Sequence, residues 1–169
     1  MLETGRLRLR RLRPSDEPAL VALDSDAEVM RYIGIPGGTP EEIVERVRQR
    51  IGVDHGALGW WIVEGRADGV FHGVAALLPM PEGGDIELAY RFARASWGAG
   101  IATEAAGALV EHAFARAGLA RLVAVTFPEN AASRRVLGKL GFGHDGMSDY
   151  KGIAVAHFAV TAAAWRPRA

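Results

Sequence analysis

The stretch Trp97-Gly98-Ala99-Gly100-Ile101-Ala102-Thr103-Glu104-Ala105 decides the fold of this chain. It joins an apolar, strand-like run over Ile86–Phe92 to an alanine-rich, helical run over residues 104–117. Glycine has no Cβ atom to hold a ligand away from the backbone, and it tolerates a positive φ in a tight turn. The helix that follows opens with unpaired N–H groups and a partial positive charge. A strand, a glycine turn and a helix N-terminus together predict a site for a phosphate or pyrophosphate.

The spacing within this turn excludes two common phosphate-binding motifs. A dinucleotide fingerprint needs a glycine at the sixth position of G-x-G-x-x-G, and Thr103 stands there. A P-loop ends in Gly-Lys-Ser/Thr, and this stretch contains no lysine. A second motif lies downstream, where residues 130–142 read N-A-A-S-R-R-V-L-G-K-L-G-F.

Taken together, the two motifs resemble those of the GCN5-related N-acetyltransferases, and most closely the branch that modifies ribosomal-protein N-termini. That branch typically reads W-G-x-G-x-A-T-E-A, then a helix and a strand, then N-x-x-S-x-x-V-L-x-K-x-G-F. The resemblance covers residues 2–165 and implies acetyl-CoA as the cofactor. The 169 residues fit one domain, so we expect a single N-acetyltransferase domain over residues 1–169.

Composition limits the function classes further. The formal net charge is zero, which argues against nucleic acid as the main partner. No apolar run approaches the ~20 residues of a membrane span, and no apolar secretion segment begins the chain, so we expect a cytoplasmic protein with no membrane partner. The chain has no cysteine, and its five histidines show no metal-ligand spacing, so we expect neither a disulfide nor a metal site.

Hydrophobic periodicity and turn residues predict an α/β chain with a mixed, mainly antiparallel sheet flanked by helices. Residues 6–13 alternate arginine and leucine, which predicts a strand with leucines buried and arginines in water. Thr39, Pro40 and Glu42 form a strong helix start. The predicted order is β-α-α-β-β-β-α-β-α-β-β. The later strands are predicted at residues 59–64, 70–78, 85–92, 122–127, 142–149 and 153–161, and the last helix runs from its cap at Asn130 to Gly141.

The cofactor presents a pyrophosphate and a pantetheine arm with two amides. Backbone N–H groups of the glycine turn suit the pyrophosphate, and an exposed strand edge can bind the arm like an added strand. The resemblance implies that this edge lies near Arg91 and Phe92 and that Asn130 hydrogen-bonds the arm. Simple helix capping is the alternative for Asn130. The turn residues assigned to cofactor binding are Gly98, Ala99, Gly100, Ile101, Ala102 and Thr103.

Acetyl transfer to an amine needs a proton acceptor. Glu87 lies in an apolar strand, and a buried carboxylate is costly unless it is paired or has a function. We therefore predict Glu87 as the general base, with a rim or ion-pair role as the alternative. Asp149 is the second candidate. Among the histidines, only His157 alternates in a way that could line the acceptor cleft.

The departing thiolate needs a proton or a hydrogen bond. Many family members have a tyrosine seven residues after the asparagine, where Leu137 stands here. Ser133 is the predicted substitute, with a simple first-turn polar role as the alternative, and Tyr150 and Tyr32 stay open. Without a cysteine no acetyl-cysteine can form, so we predict direct attack of the amine in a ternary complex.

The sequence predicts an acetyl-CoA-dependent N-acetyltransferase that acts on a primary amine. The acceptor suggested by the resembling branch is a protein N-terminus. A small amine (an aminoglycoside, a polyamine or an amino acid) is the alternative within the enzyme class, and a non-catalytic acyl-CoA-binding module is the alternative outside it. We expect residues 32–38 and the terminal strands to contact the acceptor. Dimers are common in the family, so a homodimer is also expected.

Overall fold

The computed structural model of the protein describes residues 1–34, 38–53, 56–81 and 83–167. These residues form an eight-stranded sheet in the order β1-β2-β3-β4-β5-β6-β8-β7. The strands are β1 Leu2–Glu3, β2 Leu7–Arg11, β3 Gly59–Gly65, β4 Phe71–Pro79, β5 Ile86–Phe92, β6 Arg121–Thr126, β7 Gly143–Tyr150 and β8 Ile153–Thr161. The helices are α1 Glu17–Ser25, α2 Ala27–Met30, α3 Pro40–Ile51, α4 Ile101–Ala115 and α5 Ala131–Lys139.

The sheet is mixed and mainly antiparallel, as the sequence predicts. Its parallel pair is β5 with β6, and these strands pair at one position, Glu87 with Val123. The other neighbouring strands pair antiparallel over longer registers. The predicted element order lacks the short strand β1 and counts two helices before β3, where the structure has the three helices α1, α2 and α3. Because β5 and β6 pair at Glu87 alone, the two strands separate beyond that residue. Cavities form there, on the side toward the carboxyl ends of β5 and β6.

Strand β2 follows the predicted alternation only in part. Leu7 and Leu9 are fully buried, as expected. The prediction of arginines in water is wrong for Arg10, which pairs with Asp16 at 2.8 Å and with Glu64 at 2.9 Å. A guanidinium that is flanked by two carboxylates no longer needs bulk water to balance its charge, so it can lie partly buried against the sheet.

The helix after the glycine turn begins earlier than its composition predicts. The alanine-rich run indicates a start at residue 104 and an end at 117, but α4 extends over Ile101–Ala115. Gly100 takes the N-cap position with φ 79°, in the left-handed region, and this conformation lets the helix start at once. Ile101, Ala102 and Thr103 consequently form the first helical turn, whose N–H groups have no carbonyl partner inside the helix.

Apolar side chains on the two faces of the sheet build two cores. Helix α4 covers one face, where Leu88, Leu109 and Leu122 belong to the larger core. Helices α1 and α3 cover the other face, where Leu20, Val47 and Ile62 form the smaller core. Helix α3 begins at the predicted capping box, in which Thr39 Oγ1 accepts a hydrogen bond from the Glu42 backbone N–H. In the described part of the chain, no helix has the length and apolar character needed to cross a bilayer.

Candidate active site

Two cavities open where β5 and β6 separate. One, of about 410 Å³, runs from the glycine turn along the first turns of α4 and α5, and we call it the turn cavity. The other, of about 290 Å³, lies between Glu87, Tyr150 and Trp60, and we call it the Glu87 cavity. Several residues line both: Tyr32, Ile33, Tyr90, Arg91, Asn130 and Ser133. The cavities therefore adjoin, and these residues form the boundary between them.

The glycine turn has the geometry expected of a phosphate cradle. Gly98 and Gly100 have φ values of 74° and 79°, and a Cβ atom built on Gly98 would meet no atom within 4 Å. The turn cavity is lined by five of the six predicted turn residues, Ala99 being the exception. The Ala99 carbonyl instead accepts a hydrogen bond from Arg6 Nη1 at 3.1 Å. Arg6 also pairs with Glu104 at 2.7 Å, so the turn is tied to the first turn of α4.

Basic side chains also line the turn cavity. Arg135 and Lys139 lie one turn apart on the exposed side of α5, and Arg31 follows α2. Cations in this arrangement suit the several phosphate charges of coenzyme A, and the open turn leaves room for them, so the residues present fit that cofactor. The motifs do not single out these side chains, although the i, i+4 spacing of the two on α5 is visible in the sequence.

The turn cavity is also lined by Arg91 and Phe92 at the end of β5, but polar groups of both residues already have partners inside the protein. The Arg91 side chain is 4% exposed and pairs with Asp24 at 3.0 Å. Burial, followed by the nearby charge of Arg50, lowers the pKa of Arg91 to about 10. The Phe92 carbonyl accepts a hydrogen bond from Trp97 Nε1 at 2.7 Å. A cofactor contact here would therefore use other backbone groups of the strand.

Asn130 is a helix cap and also a cavity residue. Its Oδ1 atom accepts the Ser133 backbone N–H at 3.1 Å, which is the capping role. The same residue lines both cavities. Capping engages the carbonyl oxygen of the side chain, so its NH₂ group supplies the donors with which it would reach a ligand.

Glu87 is a buried carboxylate on the wall of the Glu87 cavity, with 7% of its surface exposed. Burial raises its pKa to about 7, against the opposing effects of a hydrogen bond from Tyr150 and the positive charge of Lys151. The Tyr150 hydroxyl donates to Glu87 Oε2 at 3.4 Å. A carboxylate with this pKa exchanges protons readily near neutral pH, which is the property of a general base.

Ser133 has a partner that the motifs do not indicate. The hydroxyls of Tyr90 and Ser133 lie 3.0 Å apart, within hydrogen-bond distance. Burial raises the pKa of Tyr90 to about 12, with the hydrogen bond to Ser133 acting in the opposite direction. This phenol is thus protonated at neutral pH and can donate. It supplies a tyrosine hydroxyl near buried Leu137, although it comes from β5 rather than from α5.

The alternation of side chains along β5 places Glu87 and Tyr90 on opposite faces of the sheet. Residues three apart on a strand point to opposite faces of the sheet. Glu87 therefore faces the side covered by α1–α3, while Tyr90 faces α5, where it meets Ser133. This arrangement is visible in the segment Glu87-Leu88-Ala89-Tyr90, because an odd spacing along a strand places the carboxylate and the phenol on opposite faces of the sheet.

Two other candidates lie elsewhere. Asp149, the second candidate base, is an exposed carboxylate that accepts the Gly152 N–H at 2.8 Å in the β7–β8 turn and lines neither cavity. His157 also lines neither cavity and instead approaches Asp145 at 3.6 Å. Of the predicted acceptor loop, Tyr32, Ile33 and Gly34 line the Glu87 cavity. Residues 35–37 and His55 lie outside the described residues. In the described ranges, no three acidic or histidine side chains group as metal ligands.

This chain matches known proteins in sequence and in fold. The family model of the acetyltransferase (GNAT) domain matches residues 6–143. The uncharacterized N-acetyltransferase p20 of Bacillus licheniformis is 31% identical over 157 residues, which cover 89% of this chain and 86% of p20.

Two solved structures share the fold. Mycobacterium smegmatis RimJ, in complex with CoA-disulfide, superposes with a TM-score of 0.74 at 24% identity and covers 94% of this chain and 87% of its own. Vibrio cholerae spermidine N-acetyltransferase, in complex with CoA and spermine, gives a TM-score of 0.78 at 19% identity, with coverage of 95% and 98%.

Proposed function

Because this chain belongs to the GNAT acetyltransferase family and is an N-acetyltransferase that uses acetyl-CoA, we propose that it acetylates a primary amine held in the Glu87 cavity, by direct attack in a ternary complex. The observation that carries this proposal is the buried Glu87, whose pKa of about 7 suits proton transfer. Acetyl-CoA, when bound, supplies an acetyl group activated as a thioester. The turn cavity, with the glycine turn and the basic side chains of α5, would hold it.

Glu87 acts as the general base. A primary amine is mostly protonated near neutral pH, and it becomes a nucleophile only after losing a proton. The Glu87 carboxylate lies on the wall of the cavity that would hold this amine, and the hydroxyl of Tyr150 orients it. Burial makes the carboxylate basic enough to take the proton directly or through one water.

Tyr90 and Ser133 hold the proton that the departing sulfur needs. Their hydroxyls, 3.0 Å apart, line both cavities and so border the path between the two substrates. The phenol stays protonated at neutral pH and can donate to a developing thiolate. The serine hydroxyl can accept from the phenol while it donates to the sulfur itself.

A protein N-terminus is our proposed acceptor. The motif W-G-x-G-x-A-T-E-A supports it, as does the shared fold with RimJ. A small amine is the second candidate, because the spermidine N-acetyltransferase of Vibrio cholerae has the same fold.

A thiol-release assay tests the proposal. The protein is incubated with acetyl-CoA and N-terminal peptides, aminoglycosides, polyamines or amino acids, and the acetylated product is identified by mass. Glu87→Gln should lower kcat by about 10²–10⁴, the range typical for loss of a general base, and should spare acetyl-CoA binding. In the unmodified protein, kcat/KM should rise with pH through about 7 as Glu87 loses its proton, and Glu87→Gln should lack this rise.

Glu45→Gln is the matched control, since Glu45 is exposed on α3 and accepts a hydrogen bond from Gln49 outside both cavities. If Glu87→Gln is as active as Glu45→Gln, the base assignment fails. If acetyl-CoA binds but no amine releases thiol, the chain is a binding module without turnover.

A further inference from the structure

We propose, resting on the function proposed above, that the acceptor is a monoamine, with one primary amine carried on an apolar group, and that the Glu87 cavity discriminates against amines with a second positive charge.

The first observation is the apolar character of the cavity. Five aromatic rings line it, those of Tyr32, Trp60, Tyr90, Phe127 and Tyr150. The rings of Tyr32 and Phe127 lie 6.0 Å apart in a tilted arrangement and form one wall. Apolar walls gain free energy by taking apolar surface out of water, and they offer few partners to polar groups. At about 290 Å³, the cavity has room for a side chain and its amine rather than for a large polar molecule.

The second observation is the charge of the lining. Among the described lining residues, the charged side chains are Glu87, Arg91 and Lys151. Arg91 is paired with buried Asp24 at 3.0 Å and is therefore balanced inside the protein. Lys151 is exposed in the β7–β8 turn, with its ammonium 5.5 Å from the centre of the Tyr150 ring. The described lining thus offers one carboxylate to an incoming ammonium and sets a cation beside it.

These two observations determine which amines fit. The amine of the acceptor approaches Glu87, and the group that carries it contacts the aromatic walls. A second ammonium on the same molecule would find no second carboxylate in the described lining. The rings of Tyr32, Trp60 and Tyr150 already have cations of this chain over them, so a further positive charge there would meet like charge. An unpaired buried charge is costly. Polyamines and aminoglycosides carry several such charges. An N-terminal residue with an apolar side chain and a small apolar monoamine share the favoured chemistry.

The test compares amines that differ in one charge. Thiol release from acetyl-CoA is measured with hexylamine and with 1,6-diaminohexane, and with two tripeptides that begin with Phe or with Lys. We expect kcat/KM to be at least about tenfold higher for the singly charged member of each pair, a ratio that corresponds to about 1.4 kcal/mol. The peptide pair and the alkylamine pair distinguish a protein N-terminus from a small molecule as the source of the amine.

A substitution in the cavity wall tests the cause. Ile153 is half-buried at the start of β8 and lines the cavity. Ile153→Glu adds a carboxylate for the second ammonium, and the diamine should then be acetylated with a kcat/KM that equals or exceeds the value for hexylamine. Ile153→Gln, with the same shape and no charge, should keep the preference for hexylamine. Both variants are checked for acetyl-CoA binding.

If the Ile153 variants do not fold, Lys151→Gln decides the question. It removes an exposed cation and should reduce the difference in kcat/KM between hexylamine and 1,6-diaminohexane. Any effect of the substitution on Glu87 acts on both amines and cancels in the ratio of their kcat/KM values. An unmodified protein that acetylates 1,6-diaminohexane, spermidine or kanamycin as well as hexylamine overturns the inference and leaves the proposed function standing. Absence of thiol release with every amine instead contradicts the proposed function.

Discussion

Tyr90 is the residue that we propose in place of the missing donor to the departing thiolate. Leu137 occupies the position where many family members have tyrosine, yet the phenol of Tyr90 reaches Ser133 from the neighbouring strand. Tyr90→Phe removes this donor without changing the shape of the ring. Loss of one such donor typically costs about 10²–10³ in kcat, so we expect a loss of that order with an unchanged affinity for acetyl-CoA. Steady-state kinetics and calorimetric titration measure the two quantities.

The two other tyrosines of the chain serve as controls for this prediction. Tyr32→Phe keeps the ring that packs against Phe127 and should retain most activity. Tyr150→Phe removes a hydrogen bond to Glu87 that lowers the pKa of Glu87. The pH profile of kcat/KM for this variant should therefore move to higher pH. At the plateau, its loss of kcat should be smaller than that of Tyr90→Phe. A larger plateau loss in either control than in Tyr90→Phe would transfer the donor role to that residue.

At the scale of elements, the glycine turn joins β5 to α4, and its backbone conformation is expected to determine cofactor affinity. Gly98→Ala places a side chain at φ 74°, which costs about 1–2 kcal/mol for an L residue, at a position that lines the turn cavity. We expect the Kd for acetyl-CoA to rise about tenfold or more. Isothermal titration calorimetry measures this Kd, and thermal unfolding measures the backbone cost.

Gly118 provides a matched control for this turn. It has φ 67°, no atom lies within 4 Å of a Cβ built on it, and it follows α4 outside both cavities. Gly118→Ala should lower the melting temperature about as much as Gly98→Ala and leave the Kd for acetyl-CoA unchanged. If both substitutions weaken binding equally, the effect is one of general stability and the turn has no special role.

At the scale of the whole molecule, the buried Glu87 makes stability depend on pH. Its pKa is raised from 4.5 in the unfolded chain to about 7 in the folded protein, chiefly by burial. The folded state therefore holds this proton more tightly, and the stabilisation that is present below pH 4.5 is lost as the pH rises through 7. Glu87→Gln removes this dependence. The free energy of unfolding of Glu87→Gln minus that of the unmodified protein should therefore be about 2 kcal/mol larger at pH 8 than at pH 5.

Urea denaturation at the two pH values measures this difference. Glu45→Gln changes an exposed carboxylate. The difference in free energy of unfolding between this variant and the unmodified protein should be the same at both pH values. If Glu87→Gln behaves in the same way, the pKa of Glu87 is not raised in the folded protein. The assignment of Glu87 as a base near neutral pH would then lose its physical reason.

Features that depend on neighbouring residues could be predicted from the sequence, while those that depend on distant ones could not. The strand alternation of Leu7 and Leu9 and the capping box of Thr39 are local patterns, and both are present in the structure. The contact between Tyr90 and Ser133 joins residues 43 positions apart. The ion pair of Arg91 with Asp24 joins residues 67 positions apart. No short motif specifies such pairs, because they exist only after the sheet and helices have packed.

The single pairing of Glu87 with Val123 has a consequence for hydrogen exchange. Along the sheet, one antiparallel block from β1 to β5 meets a second block of β6, β8 and β7 at this position. Amide protons in each block are protected by its own ladder, so one block can exchange while the other stays closed. A cofactor held in the turn cavity would contact Phe92 at the end of β5 and Asn130 after β6, and would thereby make the two blocks open together. We therefore expect acetyl-CoA to slow exchange in β8 as well as in β5, although β8 lines no part of the turn cavity.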